Sequence, residues 1–241
     1  MVLLHGGLSD SREWRRQLDD LSDEFLVVAW DAPGCGRSSD PPETFRLADY
    51  ARVLATFLSE VGLDQPHVVG MSFGGGLALE LYGQRPDLLK TLILVSAYAG
   101  WSGSLPEDVV QQRLAKVERE AALPPQAWIP EWIPGLLTES APAELVDELV
   151  EIMSESHPGG MRTMAHAFAE ADLRGVLPHI RIPTLLLYGQ EDRRTSEKVA
   201  ADLHASTTGS KLVFIPDVGH QCNMEMPERF NDEVRAFLQG V

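Results

Sequence analysis

The 241 residues are 44% hydrophobic and 23% charged, which is enough to bury one full core and too short for two large domains. Thirty-six acidic against 20 basic residues give a net charge of -16, a field that repels phosphate backbones and anionic lipid surfaces and argues against nucleic acid or membrane as a partner. No window reaches the roughly 18 consecutive apolar residues of a membrane span. The opening Met1-Val2-Leu3-Leu4 lacks the features of a secretory signal, which points to the cytoplasm.

Short β-branched and aliphatic runs alternate with longer helical patterns, the signature of βα units feeding a mostly parallel sheet. Val2 to Leu4 reads as a buried strand, Arg12 to Leu21 as a helix, Phe25 to Trp30 as a strand and Leu47 to Val61 as a helix. Pro66 to Val69 is a strand, Leu77 to Gly83 a helix and Thr91 to Val95 a strand. From Trp101 to Leu177 no strand-like run appears. Helical patterns cover Pro106 to Ala121, Ala143 to Ser156 and Gly160 to Ala171, and the pairs Pro124-Pro125, Ile129-Pro130 and Ile133-Pro134 predict turns between them. The βα pattern resumes with a strand at Thr184 to Tyr188, a helix at Ser196 to His204, a strand at Lys211 to Ile215 and a closing helix at Pro227 to Leu238. Residues 1–100 and 178–241 thus form one α/β core, and 101–177 a helical insertion.

The segment Gly70-Met71-Ser72-Phe73-Gly74 carries G-x-S-x-G between a strand and a helix, the context that gives this short string meaning. A strand turning sharply into a helix strains the serine backbone and leaves no room for side chains at the flanking glycines. A serine hydroxyl needs a base within reach and an acid to orient that base. Asp192 follows the strand Thr184 to Tyr188, and His220 follows the strand Lys211 to Ile215, so both fall in loops at strand carboxyl ends, where parallel α/β sheets form their ligand crevice. The Phe73 N–H is one candidate oxyanion donor. Gly7, in the loop His5-Gly6-Gly7, is the second, with Leu8 the alternative if that loop is offset by one residue.

These motifs resemble those of the α/β-hydrolase fold superfamily, in its capped esterase-like branch. Val2 to Gly7, Asp31-Ala32-Pro33-Gly34-Cys35-Gly36-Arg37-Ser38, Gly70 to Gly75, Gly189-Gln190-Glu191-Asp192 and Gly219-His220 match in the family's order, across nearly the whole chain. The resemblance implies a Ser72, His220, Asp192 triad, an oxyanion hole at Phe73 and Gly7, and a helical cap inserted after the sixth family strand. It also places Val2 to Leu4 at the family's third strand. A six-stranded, essentially parallel sheet is then expected, without the usual first two strands, and with Phe25 to Trp30 as an open edge able to pair with another copy.

Other candidates weigh less. His5 reads as a brace for the oxyanion loop, and Asp31 as a turn-stabilising carboxylate. Glu191 and Asp217 are the rivals to Asp192. No histidine spacing suits a metal, the cysteines Cys35 and Cys222 read as incidental thiols, and no cofactor is expected. Met71, Leu8, Trp128 and Trp132 are the candidate pocket residues, although ordinary packing is the competing reading for each tryptophan. An apolar pocket predicts a small to medium uncharged ester, with water the only other reactant. Lactonase, carbon–carbon hydrolase, perhydrolase and aminopeptidase branches share the core, and Met71 in place of asparagine before Ser72 weighs against the carbon–carbon hydrolases. A ligand-binding protein without turnover is the rival of another class.

Overall fold

The computed structural model describes residues 1–241. Its strands are β1 (Val2–Leu4), β2 (Val28–Trp30), β3 (His67–Met71), β4 (Thr91–Val95), β5 (Thr184–Gly189) and β6 (Lys211–Ile215). Its helices are α1 (Arg15–Leu21), α2 (Leu47–Glu60), α3 (Phe73–Gln84), α4 (Glu107–Glu120), α5 (Ile129–Leu136), α6 (Ala143–Ser154), α7 (Pro158–Glu170), α8 (Glu197–Ser206), α9 (Cys222–Glu225) and α10 (Pro227–Leu238). The strands form one six-stranded sheet in the order β2-β1-β3-β4-β5-β6, every pair parallel. No helix is long and apolar enough to cross a membrane.

Because strand side chains alternate, the sheet has two apolar faces. Val2, Leu4, Val68, Leu92, Leu94 and Leu186 point into the larger core, against α2, α3, α8 and the helices of the insertion. Leu3, Val69, Ile93, Val95, Leu185 and Leu187 point the other way, where Leu21 of α1 and Phe230, Val234 and Leu238 of α10 cover them. Burial on both faces explains why the central strands read as continuous aliphatic runs.

Several elements differ from their sequence patterns: α1 begins at Arg15, after a tight turn over Ser11–Trp14, and the short α9 has no counterpart in those patterns. Strand β2 begins at Val28 rather than Phe25, because its only partner is the three-residue β1 and the register sets Val28 against Val2. It stands at the sheet edge, preceded by Leu26, which is 73% exposed. Helix α3 starts at Phe73, four residues earlier than expected, because its run of glycines packs tightly on the sheet in spite of poor helix propensity. The stretch around Trp132, expected to turn at its prolines, is the helix α5. Pro130 sits in its first turn, where no intrahelical N–H is needed, and Pro134 forfeits a single bond near the end of a short helix.

Candidate active site

Strand β3 delivers Ser72 to the start of α3. Its backbone stands at φ 50°, a left-handed conformation rare outside glycine, and its N–H donates to the Val95 carbonyl at 2.8 Å. Two close approaches enforce the turn. A Cβ on Gly70 would lie 2.3 Å from the Gly74 carbonyl oxygen, and one on Gly74 would lie 2.3 Å from that of Leu4. As the first residue of α3, Phe73 carries an N–H with no intrahelical partner, at the positive end of the helix dipole.

Across the sheet, the loop after β5 holds Asp192 and the loop after β6 holds His220. The His220 Nδ1 lies 2.8 Å from Asp192 Oδ2, with both side chains almost fully buried. Asp192 Oδ1 accepts the N–H groups of Arg194 and Thr195, each at 2.8 Å. Burial pushes this carboxyl up, but the facing His220 ring and the two backbone donors outweigh it, so Asp192 stays below the usual carboxylate range. The His220 carbonyl is held by the Ser96 hydroxyl at 2.9 Å, and Ser96 in turn accepts the Thr195 hydroxyl at 3.1 Å. The rivals stand apart: Glu191 and Asp217 are exposed.

Ser72, Phe73, Gly7, Leu8, Met71 and His220 all line one cavity of about 620 Å³, its mouth included. Its opposite wall comes from the helical stretch between β4 and β5: Trp101, Val117, Trp132, Leu136, Met161, Met164, Ala165 and Phe168. Ser72 and the buried His220–Asp192 pair thus share one site. Trp128 is not among the lining residues; it is buried beneath the wall, its ring 6.5 Å from that of Trp132 in an edge-on arrangement. The cavity also holds Arg113 and Arg194, which the sequence pattern did not single out.

The loop carrying Gly7 is braced from behind. His5 Nδ1 lies 2.7 Å from the Gly6 carbonyl while its Nε2 accepts the Ala32 N–H at 3.0 Å, a neutral tautomer in keeping with the downward push of burial on this ring. Asp31 accepts the N–H groups of Ser11 and Arg37 and so ties its own turn, as its place in the sequence suggests. Glu13, unnoticed in the sequence, is buried with its Oε1 accepting the Gly6 N–H at 3.1 Å. Burial pushes its carboxyl up to about 8. Its Oε2 and the neighbouring Ser9 Oγ and Gln221 Oε1 have no partner, and a proton on Oε2 would turn one of these acceptors into a donor. Both cysteines are buried and free, their thiols raised by that burial. No cluster of three histidine, cysteine or acidic side chains could hold a metal ion.

The sequence model of the alpha/beta hydrolase family matches residues 1–233. The chain belongs to the alpha/beta hydrolase family. It is 27% identical over 229 residues to 3-oxoadipate enol-lactonase 2 of Acinetobacter baylyi, covering 94% of this chain and 83% of that protein. Among solved structures, an esterase from Thermogutta terrifontis, determined with malate bound, superposes with a TM-score of 0.92 at 30% identity over 99% of this chain and 89% of the other. The enol-lactonase of Burkholderia xenovorans superposes with a TM-score of 0.88 at 22% identity, covering 99% and 90%, which speaks to the fold. The chain is therefore a member of a hydrolase family with esterases and lactonases among its relatives.

Proposed function

We propose that this alpha/beta hydrolase cleaves carboxylic esters through an acyl-enzyme on Ser72. The observation that carries the reading is the buried His220–Asp192 hydrogen bond opening onto the same cavity as a serine held at positive φ. In this mechanism His220 Nε2 takes the Ser72 proton as the hydroxyl attacks the ester carbonyl, while Asp192 fixes the Nδ1–H tautomer and stabilises the imidazolium that forms. The N–H groups of Phe73 and Gly7 receive the developing oxyanion, each worth on the order of 100- to 1,000-fold in turnover. The imidazolium then protonates the departing alcohol, and water, deprotonated by the same ring, releases the acid.

A lactone is an ester closed on itself and needs no other machinery, and the enol-lactonase relative supports it as a second substrate form. The test is turnover of p-nitrophenyl butyrate. The reading expects saturable hydrolysis by the natural protein and loss of at least roughly 1,000-fold in Ser72→Ala. Equal rates in the two proteins would overturn it.

A further inference from the structure

Arg113 and Arg194 are the only charged lining residues of the cavity apart from the titratable His220, and no carboxylate lines it. This is unexpected in a chain with a net charge of -16, where most arginines find an acid. Neither guanidinium has a carboxylate within ion-pair distance, whereas the adjacent Arg193, exposed at the surface, pairs with Glu139. The nearest acids are already engaged. Asp192 is taken by His220 and by the backbone N–H groups of Arg194 and Thr195. Glu120 accepts the Trp132 indole N–H at 2.7 Å and faces Lys116 at 3.6 Å.

What holds the two guanidiniums in place leaves most of their donors free. Arg194 lies over the Trp132 ring, 4.3 Å from its centroid. Arg113 lies over Tyr98 and Trp101 at 5.5 and 5.7 Å, and donates to the Tyr98 hydroxyl at 3.1 Å and the Arg194 carbonyl at 2.9 Å. The carbonyl of Arg194 also accepts the Tyr98 hydroxyl, so the two side chains are built into one assembly. A guanidinium carries five N–H donors and remains charged in proteins. Stacking on an aromatic face does not neutralise that charge. A half-buried pair of like charges without a counter-ion, facing an otherwise apolar chamber, is costly unless something negative enters.

We infer that the cavity recognises a carboxylate on the substrate, so that the preferred ester or lactone is a monoanion whose free carboxylate meets Arg113 and Arg194 while its acyl carbonyl lies at Ser72. The planar fork of a guanidinium matches a carboxylate in two parallel bonds, and the apolar walls suit the short chain between the two groups. This rests on the ester-hydrolase reading and narrows it, since the apolar lining alone pointed to an uncharged ester.

The experiment measures binding of monomethyl adipate and dimethyl adipate to the Ser72→Ala protein by calorimetry at pH 7.5 and low salt, so that turnover plays no part. The monoanion is expected to bind about 10- to 100-fold more tightly than the diester. Added Arg194→Gln should bring that preference within about threefold, Arg194→Lys should restore part of it, and raised salt should narrow it. Equal affinities, tighter binding of the diester, or a preference that persists in both Arg194→Gln and Arg113→Gln would overturn the inference. Hydrolysis of p-nitrophenyl butyrate and of monomethyl adipate by the natural protein is read separately: turnover without charge preference in binding sinks the anion site alone, and charge preference in binding without turnover of either ester sinks the hydrolase reading alone.

Discussion

In the core, Ser72, His220 and Asp192 are placed by backbone. Ser72 is fixed by a strained turn between two glycines that touch neighbouring carbonyls, and His220 and Asp192 by loops leaving adjacent parallel strands. In the helical stretch between β4 and β5, Trp132, Phe168, Met161 and Met164 reach the same cavity through side-chain packing, supplemented by the Trp132 indole N–H donating to Glu120. Phe168 stacks edge-on against Phe73 and Tyr98 with centroids 5.4 and 6.0 Å away, and so joins the two regions. Backbone geometry tolerates little change, while packed aromatic and methionine side chains can be refitted around a different substrate. Under the proposed function, this contrast assigns chemistry to the core and substrate selection to the helices between β4 and β5.

The largest expected effect tests the core. Asp192→Asn leaves His220 in the wrong tautomer and should lower kcat for p-nitrophenyl butyrate on the order of 10,000-fold. A loss under tenfold would show that another group orients the histidine. Next, Gly74→Ala forces a Cβ to within 2.3 Å of the Leu4 carbonyl oxygen, and should lower unfolding stability by about 3 kcal/mol or more in urea titrations. Unchanged stability would mean that the turn yields more readily than this backbone contact allows.

A second glycine probes the seam between the regions. Gly160, at the start of α7, carries its α-carbon against Gly34 of the core, and a Cβ there would stand 1.9 Å from the Gly34 carbonyl oxygen. Gly160→Ala should therefore displace α7, lower stability by a similar amount, and in the protein that remains folded raise KM roughly tenfold with a smaller change in kcat. A fall in kcat at constant KM would break the proposed division. The last effect is a pH dependence and concerns Glu13, behind the loop that carries Gly7. Its folded carboxyl, at about 8 against an ordinary 4.5, holds a proton that the unfolded chain releases, so its contribution to stability is present below pH 4.5 and is lost as pH rises toward 8. The slope is at most about 1.4 kcal/mol per pH unit, and Glu13→Gln should remove it from urea titrations at pH 5 and 8. Identical slopes in the two proteins would contradict this placement of the proton.

The same contrast explains what could be read from sequence. The core was legible because strand, elbow and loop motifs leave glycines and a fixed order of Ser72, Asp192 and His220 along the chain. The insertion was not, for local reasons. Prolines that normally end helices occupy tolerated positions in α5. Arg113 lies in a charged helix, where nothing in the string separates it from the exposed Arg119. Arg194 follows Arg193, and only the fold sends one to Trp132 and the other to solvent. Glu13 sits amid charged residues, and its burial comes from a tight turn over Ser11–Trp14 that the helical pattern blurred.

The most direct test of the central claim is intact-mass analysis after treatment with a fluorophosphonate. A serine activated by His220 and Asp192 predicts a single adduct, mapped to Ser72 by peptide sequencing, absent in Ser72→Ala and strongly slowed in Asp192→Asn. A natural protein that takes up no adduct, or takes it up at another residue, would contradict the account.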